Sequence, residues 1–116
     1  MKLKEIKEML KADVLCGEEF LDTEVSYAFG SDLMSDVLAY VKGKTLLLTG
    51  LTNPQVIRTA EMADVVAILF VRGKIPEQDV VDLAIENSMA ILTTEYTLFT
   101  TSGILYSYGL RGIEAE

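Results

Sequence analysis

The first residues of the chain alternate between apolar and charged in a helical rhythm. Leu3, Ile6, Met9 and Leu10 recur at helical spacing, with Lys2, Lys4, Glu5, Lys7, Glu8 and Lys11 between them. The pattern predicts a short amphipathic helix over Lys2–Lys11. Asp13–Cys16 follows as a brief strand, with a turn at Gly17-Glu18-Glu19. From Glu24 to Phe29, small or polar Ser26 and Ala28 alternate with large Val25, Tyr27 and Phe29, the period of a strand ending at Gly30. Ser31 is placed to cap a second helix with Asp32 in its first turn; Leu33, Val37, Leu38 and Val41 supply its apolar face before Gly43 closes it.

The middle of the chain changes character. Thr45–Thr49 reads Thr-Leu-Leu-Leu-Thr and Val65–Val71 is a longer apolar run; neither alternates, as expected of strands covered on both faces. Between them Asn53 and Pro54 supply an N-cap and a first helical residue for a helix through Val56, Ile57, Ala60 and Ala63. Pro76 opens another helix, with Val80, Val81, Leu83, Ala84 and Ile85 facing inward and Glu77, Asp79, Asp82 and Glu86 mostly outward, until Asn87-Ser88 stops it. Met89–Leu92 is a last buried strand that delivers Thr93 and Thr94 at its end. A final helix from about Tyr96 to Tyr108 leads into a tail, Gly109–Glu116.

Strands alternating with helices, around apolar central strands, predict an α/β three-layer sandwich: a mainly parallel five-stranded sheet with helices on both faces, forming one domain over residues 1–116. The first two strands are expected to pair antiparallel, because the segment between them is too short for a crossover helix. Ligands of such sheets sit at the carboxyl ends of the strands. Here those ends offer Gly30-Ser31-Asp32, Gly50-Leu51-Thr52-Asn53, Arg72-Gly73-Lys74 and Thr93-Thr94-Glu95-Tyr96.

Composition narrows the chemistry. With 10 Lys plus Arg against 18 Asp plus Glu, the formal charge is −8, which argues against general nucleic-acid binding. No uncharged apolar run is long enough to span a membrane. The single Cys16 cannot form an internal disulfide, and Met1-Lys2-Leu3-Lys4-Glu5 lacks the apolar stretch of a signal peptide; both point to a cytoplasmic chain. The absence of His removes the commonest general base, the Ser-His and Cys-His nucleophile pairs and the usual zinc sites. No catalytic residue, metal site or cofactor is expected.

Among the remaining signals, Gly43-Lys44-Thr45 has the look of a P-loop ending, but the earlier glycine that motif needs falls on Leu38. The tripeptide also ends a helix instead of opening one, so it reads as a helix stop. Arg72 and Lys74 are the basic pair at a strand end, and Gly73 between them permits close backbone approach of an anion; the same residues also read as exposed turn charges. Thr93, Thr94, Thr97, Thr100 and Thr101 form a hydroxyl-rich strand-to-helix turn, which serves either anion binding or helix capping. Glu95, Asp32 and Glu24 are carboxylates at loop positions, as chance supplies in so acidic a chain. Cys16 reads as an inert buried thiol. The aromatic set Tyr96, Phe99, Tyr106 and Tyr108 reads as packing, with Tyr106 and Tyr108 unable to share one helical face.

This order of signals resembles the DRTGG domain family, from the N-terminal helix and "ADVLCGEE" at Ala12–Glu19, through "VSYAFGSDLMSDVLAYVKGKTLLLTG" at Val25–Gly50, to "AILTTEYTLFTTSGIL" at Ala90–Leu105. Members of that family are similar to the N-terminal domain of HPr kinase/phosphorylase and occur beside CBS domains in some pyrophosphatases, as regulatory or dimer-forming parts. Of the namesake residues only Gly50 and Gly73 carry over: Leu51-Thr52 stands for the family's Asp-Arg and Val71-Arg72 for its Thr-Gly. The resemblance implies a non-catalytic regulatory or ligand-sensing domain, homodimeric, binding a phosphorylated small molecule or nucleotide. The geometry of the strand ends, where parallel strands deliver their turns to one edge, gives the expected ligand-binding residues: Ser31, Asp32, Gly50, Thr52, Asn53, Arg72, Gly73, Lys74 and Thr94, with free backbone N–H groups at Gly30-Ser31, Thr52-Asn53 and Thr94 assisting. The alternatives are an adaptor for another protein, or a small phosphate-ester enzyme using Arg72, Lys74 and Asp32.

Overall fold

A computed structural model describes residues 1–114. Its element order is α1 (Leu3–Met9), β1 (Asp13–Cys16), a 3-10 turn (Glu18–Phe20), β2 (Tyr27–Gly30), α2 (Met34–Tyr40), β3 (Thr45–Thr49), α3 (Pro54–Met62), β4 (Ala67–Phe70), α4 (Gln78–Glu86), β5 (Ala90–Thr93), α5 (Leu98–Ser107) and β6 (Arg111–Gly112). The strands form one sheet of six in the order β1-β5-β4-β3-β2-β6. All neighbours are parallel except β1 and β5.

The core has two halves because side chains of a strand alternate in direction. Leu46 and Leu48 of β3 and Leu69 of β4 face a cluster with Leu3, Ile6 and Leu10 of α1 and Leu105 of α5. Leu47, Ile68 and Phe70 face the other way, onto Val37, Val56, Ile57, Ala60, Val80 and Ala84 of α2, α3 and α4. Helices thus cover both faces, as expected. The central strands β3, β4 and β5 are buried along their whole lengths, which explains why their sequences do not alternate.

Three expectations about the sheet and its helices are corrected. A sixth strand, β6, lies inside the expected tail and pairs Arg111 and Gly112 with Tyr27 and Ala28. β1 and β2 are not partners: β1 runs antiparallel to β5 while β2 lies between β3 and β6. The linking residues 17–26 can extend to roughly 33 Å, and the four inter-strand spacings to be crossed come to roughly 19 Å. A short connection therefore does not force adjacency. Leu33, Leu38 and Ile85, expected inward, are exposed. α2 is a helix of 7 residues with only Val37 fully buried, and Ile85 lies on the outer side of α4.

Candidate functional site

The carboxyl ends of the parallel strands β2, β3 and β4 lie side by side, and Asp32 joins the first two. It lies ahead of α2, whose N-cap is Leu33, so Ser31 does not cap that helix and Asp32 is not in its first turn. Ser31 makes a local turn instead: its Oγ accepts the Leu33 N–H at 3.0 Å and donates to the Leu33 carbonyl at 3.2 Å. Asp32 Oδ1 accepts two hydrogen bonds from the end of β3, from Thr49 Oγ1 at 2.8 Å and from the Gly50 N–H at 2.9 Å. The Thr49 hydroxyl in turn accepts the Leu51 N–H at 3.2 Å. This network ties the β2 end to the β3 end through side chains that are far apart in sequence.

Arg72 approaches the same point from β4. A Cβ added at Gly50 would lie 3.4 Å from Arg72 Nη2 and 3.9 Å from both carboxylate oxygens of Asp32. Gly50 is therefore a floor between a guanidinium and a carboxylate. The Arg72 backbone is unusual, with φ 58°, in the left-handed region that ordinary side chains enter at a cost. Two hydrogen bonds hold it there: Arg72 N–H donates to the Tyr96 carbonyl at 2.8 Å and Gly73 N–H to the Thr94 carbonyl at 2.7 Å. Gly73 itself has φ 66°, and a Cβ there would come within 2.6 Å of Glu95 Oε2. Glycine is favoured here by its conformation; the Glu95 carboxylate is the end of an exposed, flexible side chain that can move aside.

The guanidinium of Arg72 is exposed and makes no ion pair among the described residues. Lys74, also exposed and without an ion pair, follows two residues on; its carbonyl accepts the Thr93 hydroxyl at 2.8 Å. The site thus offers one or two cations, the Asp32 carboxylate with its second oxygen outside the Thr49–Gly50 network, the Glu95 carboxylate beside Gly73, and a glycine floor. Such a set suits a molecule that presents a phosphate to Arg72 and hydroxyl donors to Asp32.

Other expected members lie elsewhere or are already engaged. Thr94 donates its hydroxyl to the Leu10 carbonyl at 2.7 Å and its N–H to the Phe70 carbonyl at 3.0 Å, so it fastens β5 to α1 and β4 and has no free amide. Ser31 N–H is likewise spent on the Leu48 carbonyl. Thr52 and Asn53 line a separate groove of about 290 Å³ with Pro54, Glu77, Asp79 and Val80, where the acidic side chains repel anions. The expected ring of free amides is largely consumed by the fold, and the charged side chains dominate the site. Glu24 is remote from it, paired with the amino group of Met1, which holds its carboxyl below the usual range. Cys16 is half-buried, where desolvation pushes its thiol up, and it donates to the Met89 carbonyl at 3.3 Å.

Sequence reasoning missed a second feature, a groove of about 280 Å³ between α5 and β6, lined by Ala28, Phe29, Leu48, Ser102, Tyr106 and Arg111 among others. Arg111 stacks on the Tyr106 ring at 4.5 Å. Arg111 falls in the expected tail, Gly109–Glu116, and nothing in the local pattern announces it. Among the described residues, no group of three or more His, Cys, Asp or Glu is arranged to hold a metal ion, and no helix is long and apolar enough to cross a membrane.

Comparison with known proteins agrees with the architecture. No curated protein matches the chain. A solved structure, described as the CBS and DRTGG domains of the regulatory region of Clostridium perfringens pyrophosphatase complexed with its activator diadenosine tetraphosphate, superimposes with a TM-score of 0.71 at 17% identity. The match covers 90% of the present chain and 45% of that one, so the chain spans under half the length of its neighbour. At this identity the likeness concerns the fold. The family model of the DRTGG domain matches residues 5–108, and by that match over nearly its whole length the chain belongs to the DRTGG domain family.

Proposed function

We propose that this DRTGG domain is a non-catalytic regulatory module that acts as a homodimer and senses a phosphorylated small molecule of the nucleotide class at the ends of β2, β3 and β4. The observation that carries the reading is the placement of Arg72: an exposed guanidinium without an ion pair among the described residues, its backbone pinned in a left-handed turn, standing over Gly50 beside the Asp32 carboxylate. A cation next to a carboxylate acceptor matches phosphate plus ribose hydroxyls, the polar pair that a nucleotide carries. The regulatory setting of the structural neighbour and its nucleotide activator support the same class of ligand. The net charge of −8 removes long-range attraction for an anion, so binding rests on local contacts and weakens with added salt.

Isothermal titration with adenosine monophosphate, adenosine triphosphate and inorganic phosphate tests this. Saturable binding is expected for the nucleotides, and Arg72→Ala should weaken it by about 1–3 kcal/mol, the worth of a charge-assisted hydrogen bond. No heat at millimolar ligand, or equal affinity of the variant, overturns the site and favours the adaptor reading.

A further inference from the structure

The outer face of α5 carries two exposed aromatic rings around a glycine. Phe99, Ser102, Gly103 and Tyr106 stand at i, i+3, i+4 and i+7 and so form one stripe, turned away from the buried Thr101 and Leu105. Phe99 is 88% exposed and Tyr106 61%. Between these two rings lies a notch. A Cβ at Gly103 would meet nothing within 4 Å, and its φ is not in the region that favours glycine. A glycine inside a helix is the poorest choice after proline, and nothing in the single chain requires it. The Ser102 hydroxyl is turned back onto the Leu98 carbonyl at 2.8 Å, which leaves the notch without an outward hydrogen-bond donor.

We infer that this stripe is a contact between two copies of the chain, with α5 packed antiparallel on α5 across a two-fold axis at Ser102 and Gly103. The inference rests on the homodimer reading above and assigns its interface. Charge selects the occupant. Between Glu95 and Arg111 no residue is charged, while the whole chain carries −8, so on this face two acidic copies meet without like charges opposed along the helix. The flanking charges are opposite, and an antiparallel pairing brings the Glu95 end of one α5 to the Arg111 end of the other. Both are exposed and form no ion pair among the described residues.

Shape agrees with charge. Phe99 and Tyr106 are about 10 Å apart along the axis, with Ser102 and Gly103 midway, so a two-fold there sets Phe99 of each copy opposite Tyr106 of the other. The groove of about 280 Å³ beside Tyr106 and Ser102 is then a socket for the incoming phenyl ring. Missing side-chain bulk at Gly103 lets the two backbones approach closely.

Sedimentation equilibrium of the full chain from low to high micromolar concentration tests the interface, with circular dichroism to confirm that each variant is folded. The wild type is expected to dimerise, and Gly103→Leu and Phe99→Asp should each weaken the dimer roughly tenfold or more while remaining folded. Gly103→Ala should raise the melting temperature under conditions where the chain is monomeric and yet weaken the dimer, a pair of opposite signs that a purely structural glycine does not produce. A wild-type dimer undisturbed by Gly103→Leu and Phe99→Asp overturns the α5 interface and leaves the homodimer reading intact. A monomeric wild type at all concentrations overturns both.

Discussion

α3 and α5 are crossover-type helices of similar length, 9 and 10 residues, and they finish differently. α3 buries Val56, Ile57, Thr59 and Ala60 and turns Arg58, Glu61 and, at its end, Met62 to solvent. Its apolar stripe is consumed by the sheet. α5 buries Thr101 and Leu105 with Leu98 and Ile104 half-covered, and still presents Phe99, Tyr106 and Tyr108 outward. A helix that is apolar on two sides has one side more than a single sheet can use. Apart from the exposed Met62 at its last residue, the fold accounts for α3, whereas it accounts for only half of α5.

The largest expected effect lies on α3. Ile57→Ala removes a fully buried side chain from the α3 half of the core and should cost about 2–5 kcal/mol in urea unfolding, at any protein concentration. Phe99→Ala, at a larger but exposed side chain, should change monomer stability by no more than about 0.5 kcal/mol. Equal losses at the two positions would break the comparison, since Phe99 would then belong to the core. A smaller effect sharpens it: Gly103→Ala should stabilise the monomer by about 0.5–1 kcal/mol through helix propensity, read from urea midpoints in dilute solution.

The smallest effect concerns α1, which shares the α5 side of the sheet. Lys4 bonds Asp22 at 3.1 Å, and the Met1 amino group pairs with Glu24. Hydrogen bonding and charge from these partners depress both carboxyl groups below their usual range. A depressed carboxyl adds stability above its unfolded pKa, and that contribution is lost as pH falls through the folded value. Both groups are exposed, so the gain is small and screened by salt. In an acid titration followed by circular dichroism, Glu24→Gln should flatten the loss of stability below pH of about 4 and leave the neutral region almost unchanged.

What was legible in the chain follows from where each signal resides. The buried strands β3 and β4 announce themselves because two-sided burial demands continuous apolar residues, and Thr-Leu-Leu-Leu-Thr supplies them. α3 was equally clear, since Asn53-Pro54 marks its start and its apolar residues keep helical spacing. Strand partners were not legible: pairing is a tertiary choice, and the composition of β1 suits the open edge of β5 as well as that of β2. β6 is two exposed residues with no period to read. Asp32 was singled out for a helix terminus, where an acidic residue is ordinary, while its actual partners, Thr49 and Gly50, are 17 and 18 positions away. The backbone amides expected at Ser31 and Thr94 were assigned to a ligand because sequence shows which donors exist and not which ones the fold has already used. Arg72 and Gly73 stand out in the sequence because a basic residue beside glycine at a strand end is a local signal.

The central claim is that a phosphorylated ligand engages the β2–β3–β4 ends through Arg72. Amide chemical-shift mapping of the labelled chain during titration with adenosine monophosphate, the smallest probe combining a phosphate with a ribose diol, tests it most directly. Saturable shifts centred on Asp32, Gly50, Arg72 and Gly73, abolished or strongly weakened in Arg72→Ala, are the predicted result. Unperturbed amides at millimolar ligand, or shifts confined to the groove around Thr52 and Asn53 or to that around Cys16 and Gly17, would contradict it.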